Sequence, residues 1–375
     1  MSRTFATLAA ALLVTATALT GVAVAQPPRL TNGRVTSQPG AGLPQSFRAA
    51  VNAQAGTGWI GYSVPVVDGE RMMCCSNSGT TFVNGTLVGN ACCGMCSIEP
   101  SVDGVTLTSR TPQSAAPGGP IKLEGADTMV VLFRVVNRQV ERVRVFSEDC
   151  ALDAGGREIT WLSGVRPAES VALLESLVTA QPGTDRRDRV LDSAITAIAL
   201  HEDAAADTSL ERLLAASQPQ SVRVKVPFWL GNSRGRRGFE ILRRVIKDDP
   251  SQEVKKKAVF GLSQSKEAEA VDVLIDNARS NADTSVRGES IFWLAQKAGS
   301  KAAAAITERI EQDPDTDVKK KAVFALSQLP KSEGVPLLIQ VARNNANPAV
   351  RKQAMFWLGQ SKDPRALDYF AEVLK

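Results

Sequence analysis

Residues 252–264 read QEVKKKAVFGLSQ, and residues 316–328 read TDVKKKAVFALSQ. The two segments lie 64 residues apart, and a related segment lies midway between them, so the underlying period is 32 residues. Each period contains a Val followed by Lys or Arg, and a Phe six residues after the Val. The Val residues are Val222, Val254, Val286, Val318 and Val350, and the Phe residues are Phe228, Phe260, Phe292, Phe324 and Phe356. A fixed period of this length is typical of a stacked repeat array.

The apolar residues within each unit have helical spacing. Val254, Ala258 and Leu262 form one run, and Leu274 and Ala278 belong to a second run after a polar break. Each unit is therefore predicted to be a pair of helices. A single pair cannot cover its own apolar face, so the units are expected to stack into an α-solenoid.

The array extends further toward the N-terminus than these clear units. Residues 189–220 fit the same register, with Thr196 at the position of the Phe. We therefore predict about six repeats over residues 189–375.

One column of the repeat alternates between large and small residues. It consists of Trp229, Gly261, Trp293, Ala325 and Trp357. Alternating sizes let neighbouring layers interdigitate without voids. We therefore predict that Trp293 packs in the interior between Gly261 and Ala325. The Phe residues, with the Leu two positions after each, are predicted to form the rest of the core.

These repeats resemble the short HEAT-like repeats of bacteria, the type first described in phycobilin lyases. The shared residues are a loop acid, a Val with a base, and a Phe with a Leu: Asp313, Val318, Lys319, Phe324 and Leu326, with the turn 363–367, DPRAL. In that family the loop acid and the base six residues later form ladders between neighbouring repeats. The resemblance implies the pairs Asp249 with Lys255, Asn281 with Arg287, Asp313 with Lys319, and Asn345 with Arg351, two of which have an amide for the acid. It implies the fold but specifies no function, because solenoids host many unrelated partners.

The N-terminal segment has the form of a secretion signal. Arg3 precedes apolar and small residues from Phe5 to Val24, which end in Ala-Val-Ala before Gln26. We predict a signal peptide over residues 1–25 and export, to the bacterial periplasm or as a secreted protein. No later apolar run approaches the roughly 20 residues of a membrane span. Without Arg3 the formal net charge falls from +5 to +4, and so modest an excess does not indicate a nucleic-acid partner.

The residues between the signal and the repeats have a different character. Residues 26–56 are rich in Pro, Gly, Ser and Thr and are predicted to be a flexible leader. Residues 57–165 contain strand patterns and are predicted to form an antiparallel β domain, a small sandwich or barrel. These patterns lie at Trp59–Val67, Val105–Ser109 and Met129–Phe146, the last of which is typical of a hairpin. A bridging helix within residues 166–188 completes a two-domain α+β chain.

All six cysteines lie in the predicted β domain: Cys74, Cys75, Cys92, Cys93, Cys96 and Cys150. An even count in an exported chain favours disulfides over free thiols. Successive residues of a strand point to opposite faces, so we expect one bridge between the doublets 74–75 and 92–93. Cys96 or Cys150 would then pair with a remaining cysteine.

The alternative for these cysteines is a thiol-redox or soft-metal site. The spacing of Cys93 and Cys96 can serve thiol exchange. The thioethers of Met72, Met73 and Met95 would suit copper(I) together with thiolates. In that hypothesis the solenoid is a docking arm for the N-terminal domain.

The sequence contains little that indicates an enzyme. Its one His, His201, lies in the first, degenerate repeat, far in sequence from a nucleophilic Ser or Cys. We predict that His201 is a solvated residue or a helix cap. The sequence has no glycine-rich phosphate loop and no clustered carboxylate motif. We therefore expect no enzymatic activity, no small-molecule cofactor and no catalytic metal.

The predicted function is an exported scaffold that binds another protein through the solenoid. A buried column of the second helices is expected at Leu242, Leu274, Ile306, Leu338 and Phe370. Positions spaced by four and then three residues beside that column share one exposed face, which is predicted to bind the partner. These candidates are Glu240, Arg244, Lys247, Asp272, Asp276, Arg279, Glu308, Glu311, Gln340, Arg343, Asp368 and Glu372. A third possibility, which the resemblance to phycobilin lyases implies, is an enzyme accessory that grips a chromophore or its carrier protein.

Overall fold

The computed structural model describes residues 27–68, 81–83, 86–88, 96–99, 127–148, 150–180 and 185–375. Strands fill the N-terminal part of these residues, and helices fill the C-terminal part. The strands are β1 (Leu30–Thr31), β2 (Arg34–Pro39), β3 (Thr57–Pro65), β4 (Thr81–Val83), β5 (Thr86–Val88), β6 (Cys96–Ser97), β7 (Thr128–Val136), β8 (Gln139–Ser147), β9 (Leu152–Asp153) and β10 (Glu158–Ser163).

Two helices border the sheet region, and the others form the repeats. The first two are α1 (Leu43–Ala53) and α2 (Pro167–Thr179). The others are α3 (Asp185–Leu200), α4 (Ala205–Leu214), α5 (Gln220–Arg223), α6 (Val226–Ser233), α7 (Gly235–Asp248), α8 (Gln252–Gln264), α9 (Ala270–Ser280), α10 (Thr284–Ala298), α11 (Ala303–Gln312), α12 (Thr316–Ser327), α13 (Lys331–Asn344), α14 (Pro348–Ser361) and α15 (Pro364–Val373), with a 3-10 turn at Gly299–Ala302. None of the helices in the described ranges is both long and apolar enough to cross a membrane.

The main sheet is mixed, and the prediction of an antiparallel domain is wrong in this respect. Its strand order is β2-β10-β3-β7-β8. β7 and β8 form the predicted hairpin, and its turn holds Asn137 and Arg138 at φ 50° and 61°. β10, however, runs parallel to both β2 and β3. Hairpin signals are local in sequence, whereas this parallel pairing joins strands more than 90 residues apart, which no short motif marks.

The segment predicted to be a flexible leader is folded. β2 forms the edge of the main sheet, and α1 buries Leu43, Phe47 and Ala50. The Phe47 ring packs edge-on against Phe133 of β7, with 4.8 Å between the ring centroids. The spacing of these apolar residues is helical, whereas the surrounding Pro, Gly and Ser give the segment the composition of a flexible leader.

The first helices of the last four repeats begin in the same way. The residue before each helix caps it with a side-chain oxygen: Ser251, Asp283, Asp315 and Asn347. Two residues earlier, a second side chain accepts the backbone N–H of the capping residue: Asp249, Asn281, Asp313 and Asn345. An acid and an amide both accept this bond, so the two alternate here without loss of the turn.

Buried aliphatic side chains form one core that runs from the sheet through the repeats. In the predicted column of the second helices, Leu242, Leu274, Ile306 and Leu338 are buried as expected. At the last position Tyr369 is the buried residue, while Phe370 is only partly buried. The sheet and the first repeat are also joined by backbone contact, since the N–H of Val67 donates to the carbonyl of Leu200.

Candidate protein-binding surfaces

The second-helix face consists of the twelve charged or polar residues that the sequence predicts as the binding surface. They lie on α7, α9, α11, α13 and α15, the second helices of five successive repeats. Each of the twelve is exposed or partly exposed. The structure thus brings residues from more than 130 positions of sequence onto a single row of helices.

Part of the second-helix face is neutralised by ion pairs between neighbouring repeats. Arg279 on α9 donates to Glu308 on α11, with 2.9 Å between Nη2 and Oε2. Arg343 on α13 pairs in the same way with Glu372 on α15, at 2.7 Å. The bond from Arg279 holds the pKa of the Glu308 carboxyl below its usual value. The same Arg–Glu pairing thus joins the second helices of two pairs of neighbouring repeats.

The remaining charges on the second-helix face are mostly acidic. Among the described residues, four of its carboxylates have no ion-pair partner, and one of its cations has none. The carboxylates are Asp272, Asp276, Glu311 and Asp368, and the cation is Lys247. The face therefore presents a net negative charge to whatever lies against it.

A buried ladder of charges lies inside the repeats, and it differs from the pairs that the family resemblance implied. Arg287 makes a two-pronged contact with Asp313 of the following repeat, at 2.8 and 3.0 Å. Arg223 pairs with Asp249 of the following repeat through one bond, from Nη2, while its Nε donates to the carbonyl of Leu214. The base therefore contacts the acid 26 residues later, not the acid or amide six residues before it. Towards Asn281, the loop residue six positions before it, Arg287 donates to the backbone carbonyl and not to the amide side chain.

The bases of the other repeats do not reach the next loop. The ammonium of Lys255 donates to the carbonyl of Lys247, and that of Lys319 donates to the carbonyl of Glu311. The loops that follow these repeats carry Asn281 and Asn345, which are uncharged. A repeat with Arg is thus followed by a loop with Asp, and a repeat with Lys is followed by a loop with Asn. Since the two kinds of repeat alternate, this pattern has a period of two repeats.

An aromatic row lies on the first helices, and its position corrects the predicted core. Eight rings follow one another with 4.5 to 5.8 Å between the centroids of neighbours. In order they are Trp229, Phe228, Phe260, Trp293, Phe292, Phe324, Trp357 and Phe356. These side chains are only partly buried, and Phe356 is 53% exposed.

The geometry of a helix explains why the Phe residues are not core residues. Each residue turns the helix by about 100°, so Phe260 points roughly 160° away from the buried Ala258. The Leu residues two positions after each Phe are buried as predicted. Trp293 does not fill a space between Gly261 and Ala325, because its ring packs on Phe260 at 4.5 Å. Gly261 is instead needed for close helix contact, since an added Cβ would lie 2.2 Å from the carbonyl oxygen of Pro227.

The aromatic row has a gap at its N-terminal end, which we call the Thr196 cleft. A cavity of about 300 Å³ lies there between α3, α6 and α8. Its walls are Ile195, Thr196, Val224, Phe228, Trp229 and Phe260, and its rim carries Asp192, Lys225 and Lys257. The replacement of the Phe by Thr196 marks this site in the sequence, but such a replacement is equally typical of a degenerate repeat.

The cysteine cluster falls largely outside the described residues. This applies to Cys74, Cys75, Cys92 and Cys93, to the neighbouring Met residues, and to the predicted strand at 105–109. Cys96 begins β6, which pairs with β9 so that Cys96 lies opposite Leu152. Cys150, two residues before Leu152, is 2% exposed. In the described part of the chain, no three His, Cys, Asp or Glu residues are grouped closely enough to hold a metal ion.

His201 is fully buried, so the prediction of a solvated residue or a cap is wrong. Its Nδ1 lies 2.6 Å from the carbonyl of Ala197, which can only accept, so Nδ1 carries the proton. Its Nε2 therefore accepts from the Ser170 hydroxyl at 2.8 Å. The Ser170 oxygen in turn lies 2.7 Å from the Tyr62 hydroxyl, which is left to donate. Burial lowers the pKa of His201 to about 4.

The Ser170 hydroxyl and the His201 imidazole lie as close together as a catalytic nucleophile and its base, but solvent and substrate cannot reach them. His201, Ser170 and Tyr62 each have 0% of their surface exposed. They come from the first repeat, α2 and β3, so the hydrogen bonds connect the solenoid to the sheet. Sequence reasoning missed Ser170, which lies 31 residues before His201. The apolar run Ala197–Leu200 directly before the His could have indicated its burial.

Comparison with known proteins identifies the repeats. Residues 207–295 and 303–375 match the sequence profile of HEAT repeats. The C-terminal helical region is therefore a HEAT-repeat solenoid. No curated protein sequence matches the chain.

Several solved structures are similar in part. Human deoxyhypusine hydroxylase in complex with glycerol is 15% identical, with 55% of this chain and 90% of that chain covered and a TM-score of 0.29. The YibA protein of Escherichia coli is 22% identical, with 52% and 71% covered and a TM-score of 0.35. The CpcE–CpcF complex of phycocyanin lyase from Nostoc is 17% identical, with 55% and 81% covered and a TM-score of 0.29.

Proposed function

We propose that this chain is an exported, non-enzymatic scaffold that binds another protein through the second-helix face of its HEAT-repeat solenoid. The observation that carries the proposal is the placement of twelve charged or polar residues on five stacked helices, all at least partly exposed. Because the unpaired charges of this face are mostly acidic, the matching surface of the partner is basic. Complementary charge of this kind raises the rate and the specificity of association.

The unpaired carboxylates provide the test of this face. We expect the double variant Asp272→Lys/Asp276→Lys to capture less of the partner from the exported fraction, and the loss to be larger at low salt. The matched control is Glu202→Lys/Asp317→Lys, which reverses two exposed acids away from the face. Equal capture by both variants, with unchanged helical content, would remove the second-helix face as the binding surface.

Export is part of the same proposal and has its own measurement. The predicted signal implies cleavage after Ala25, so mass spectrometry of the exported protein should find Gln26 at its N-terminus. A chain that stays in the cell with Met1 or Ser2 at its N-terminus would contradict this part alone.

Structural disulfides are the finer proposal for the N-terminal region. Support comes from Cys150, which is buried close to β9, where a structural cysteine is favoured over a reactive thiol. Loss of a native bridge in a small secreted domain costs about 2–5 kcal/mol, so reduction should destabilise the sheet region and leave the solenoid helical. The alternative redox or metal role would instead be supported by free thiols, or by bound metal, in the exported protein.

A further inference from the structure

Two other repeats show which side chain occupies the position that corresponds to the Thr196 cleft. Trp293 packs on Phe260 of the preceding repeat, with 4.5 Å between the ring centroids and 38° between the ring planes. Trp357 packs on Phe324 in almost the same way, at 4.8 Å and 39°. The equivalent of Trp293 and Trp357 two repeats earlier is Trp229. Its ring should therefore have a Phe from the preceding repeat against it.

Among the residues that the structure describes, no aromatic ring lies at that position. The residue 33 positions before Trp229, which corresponds to Phe260 and Phe324, is Thr196. Thr196 and Trp229 both line the cavity of about 300 Å³. Within the described part of the chain, the cavity thus lies where the repeats of Trp293 and Trp357 have a phenyl ring, and its size is at the lower end of the range for ligand pockets.

The rim of the cleft is positively charged. Lys225 is paired with Asp192 at 2.5 Å, so its charge is offset. Lys257 forms no ion pair with any residue in the described ranges. The walls, by contrast, are apolar side chains such as Ile195 and Val224. A ligand that suits both features has an aromatic ring with carboxylates beside it.

We propose that the Thr196 cleft is a docking site for an aromatic side chain, preferably Phe, that lies in an acidic segment of a partner protein. The inserted ring completes the aromatic row, and the neighbouring carboxylates face Lys257. This site rests on the proposed function as a protein-binding scaffold, but it lies on the first helices and recognises a different part of the partner from the acidic second-helix face.

A peptide provides the direct test. The probe is a blocked heptapeptide with a central Phe and three acidic residues on each side, carrying a fluorophore whose anisotropy is measured with the full exported chain. Replacement of the Phe by Ala should weaken binding at least about tenfold, because burial of a phenyl ring contributes this much. Equal binding of the Phe and Ala peptides would overturn the proposal, since only charge would then be recognised.

Variants locate the site. Thr196→Phe places the phenyl ring of the aromatic row in the cleft. The Phe peptide should then bind as weakly as the Ala peptide does. Thr196→Val keeps the size of the original side chain and should bind normally. Lys257→Glu should weaken binding at least about threefold, whereas the control Lys321→Glu, at the same register position 64 residues later, should have little effect. Lys257→Glu also keeps the test valid if Thr196→Phe fails to fold.

The remaining outcomes separate this inference from the proposed function. If the wild type binds the peptide but Thr196→Phe and Lys257→Glu bind it equally well, the cleft is not the site. If a segment of this chain occupies the cleft, the wild type will not bind the peptide, and the inference fails. If an acidic polysaccharide displaces the peptide more strongly than excess unlabelled peptide does, a protein segment is not the ligand. Failure of the second-helix variants to change capture bears only on the proposed function.

Discussion

The junction between the sheet and the solenoid differs from the junctions between repeats. Repeats are joined by contacts that recur, such as Arg223 with Asp249 and Arg287 with Asp313. The sheet is joined to the solenoid by a set that occurs once, the buried chain of Tyr62, Ser170 and His201. A recurring contact can lose one member while its neighbours keep the array together, whereas a unique junction has no second copy. The two should therefore respond differently to mutation and to pH.

The largest effect is expected from breaking the recurring buried pair. The side chains of Arg287 and Asp313 are 9% and 0% exposed, so Arg287→Ala leaves a buried carboxylate without its cation. Loss of one partner of such a pair costs about 3–5 kcal/mol. The free energy of unfolding, from chemical denaturation followed by helical circular dichroism, measures this loss.

Lys319→Ala is the matched control for that variant. Lys319 occupies the same register position but donates only to an exposed carbonyl, so its loss should cost less than about 1 kcal/mol. If the two variants lost similar free energy of unfolding, the Arg–Asp pairs would stabilise the array no more than the Lys contacts do.

The unique junction should be sensitive to acid. His201 is buried and neutral in the folded chain, and its pKa falls from 6.5 to about 4. The unfolded chain therefore binds the proton first, and stability is lost as the pH falls from about 6.5 to 4, by up to about 3 kcal/mol. Above pH 7 this residue contributes no pH dependence.

A variant without the imidazole isolates that effect. His201→Gln should be less stable at neutral pH but should show a flatter dependence of unfolding free energy between pH 6.5 and 5, a window above most carboxyl pKa values. If both proteins lose stability equally in this window, then other groups account for the acid sensitivity.

Two glycines within first helices of the repeats, one buried and one exposed, should give a smaller contrast. In Gly261→Ala the new Cβ would meet backbone of the preceding repeat, and overpacking of this kind costs about 1–3 kcal/mol. A Cβ added at Gly359 would meet no described residue outside its own helix within 4 Å, so Gly359→Ala should stabilise that helix by about 0.5–1 kcal/mol. A destabilised Gly359→Ala would indicate that α14 has a neighbour at this point. Thermal denaturation of the two variants checks the opposite signs.

The features that the sequence predicts are mostly those that recur in the repeats, and most of the features that it does not predict occur once. The solenoid and its buried Leu column were predictable because each signal is repeated, and repetition separates it from chance. The parallel pairing of β10 and the burial of His201 were not, because each depends on contacts between distant segments that occur once. The outward direction of the Phe residues was predictable in principle, since Phe260 is out of phase with Ala258. An aromatic residue that recurs at every repeat is therefore not by itself evidence of a core position.

The smallest effect is expected at an exposed contact of the unique junction. Arg212 on α4 makes two bonds to Glu175 on α2, at 2.8 and 2.5 Å, but more than half of the Arg side chain is exposed. Solvent screening limits such a pair to about 0.2–1 kcal/mol, even with good geometry. The cycle of Arg212→Ala, Glu175→Gln and the double variant should give a coupling energy in this range. The coupling should shrink further between 0.05 and about 0.5 M salt, because the charges face water. A coupling as large as the loss in Arg287→Ala would mean that the junction depends on this pair and not on the buried chain through His201.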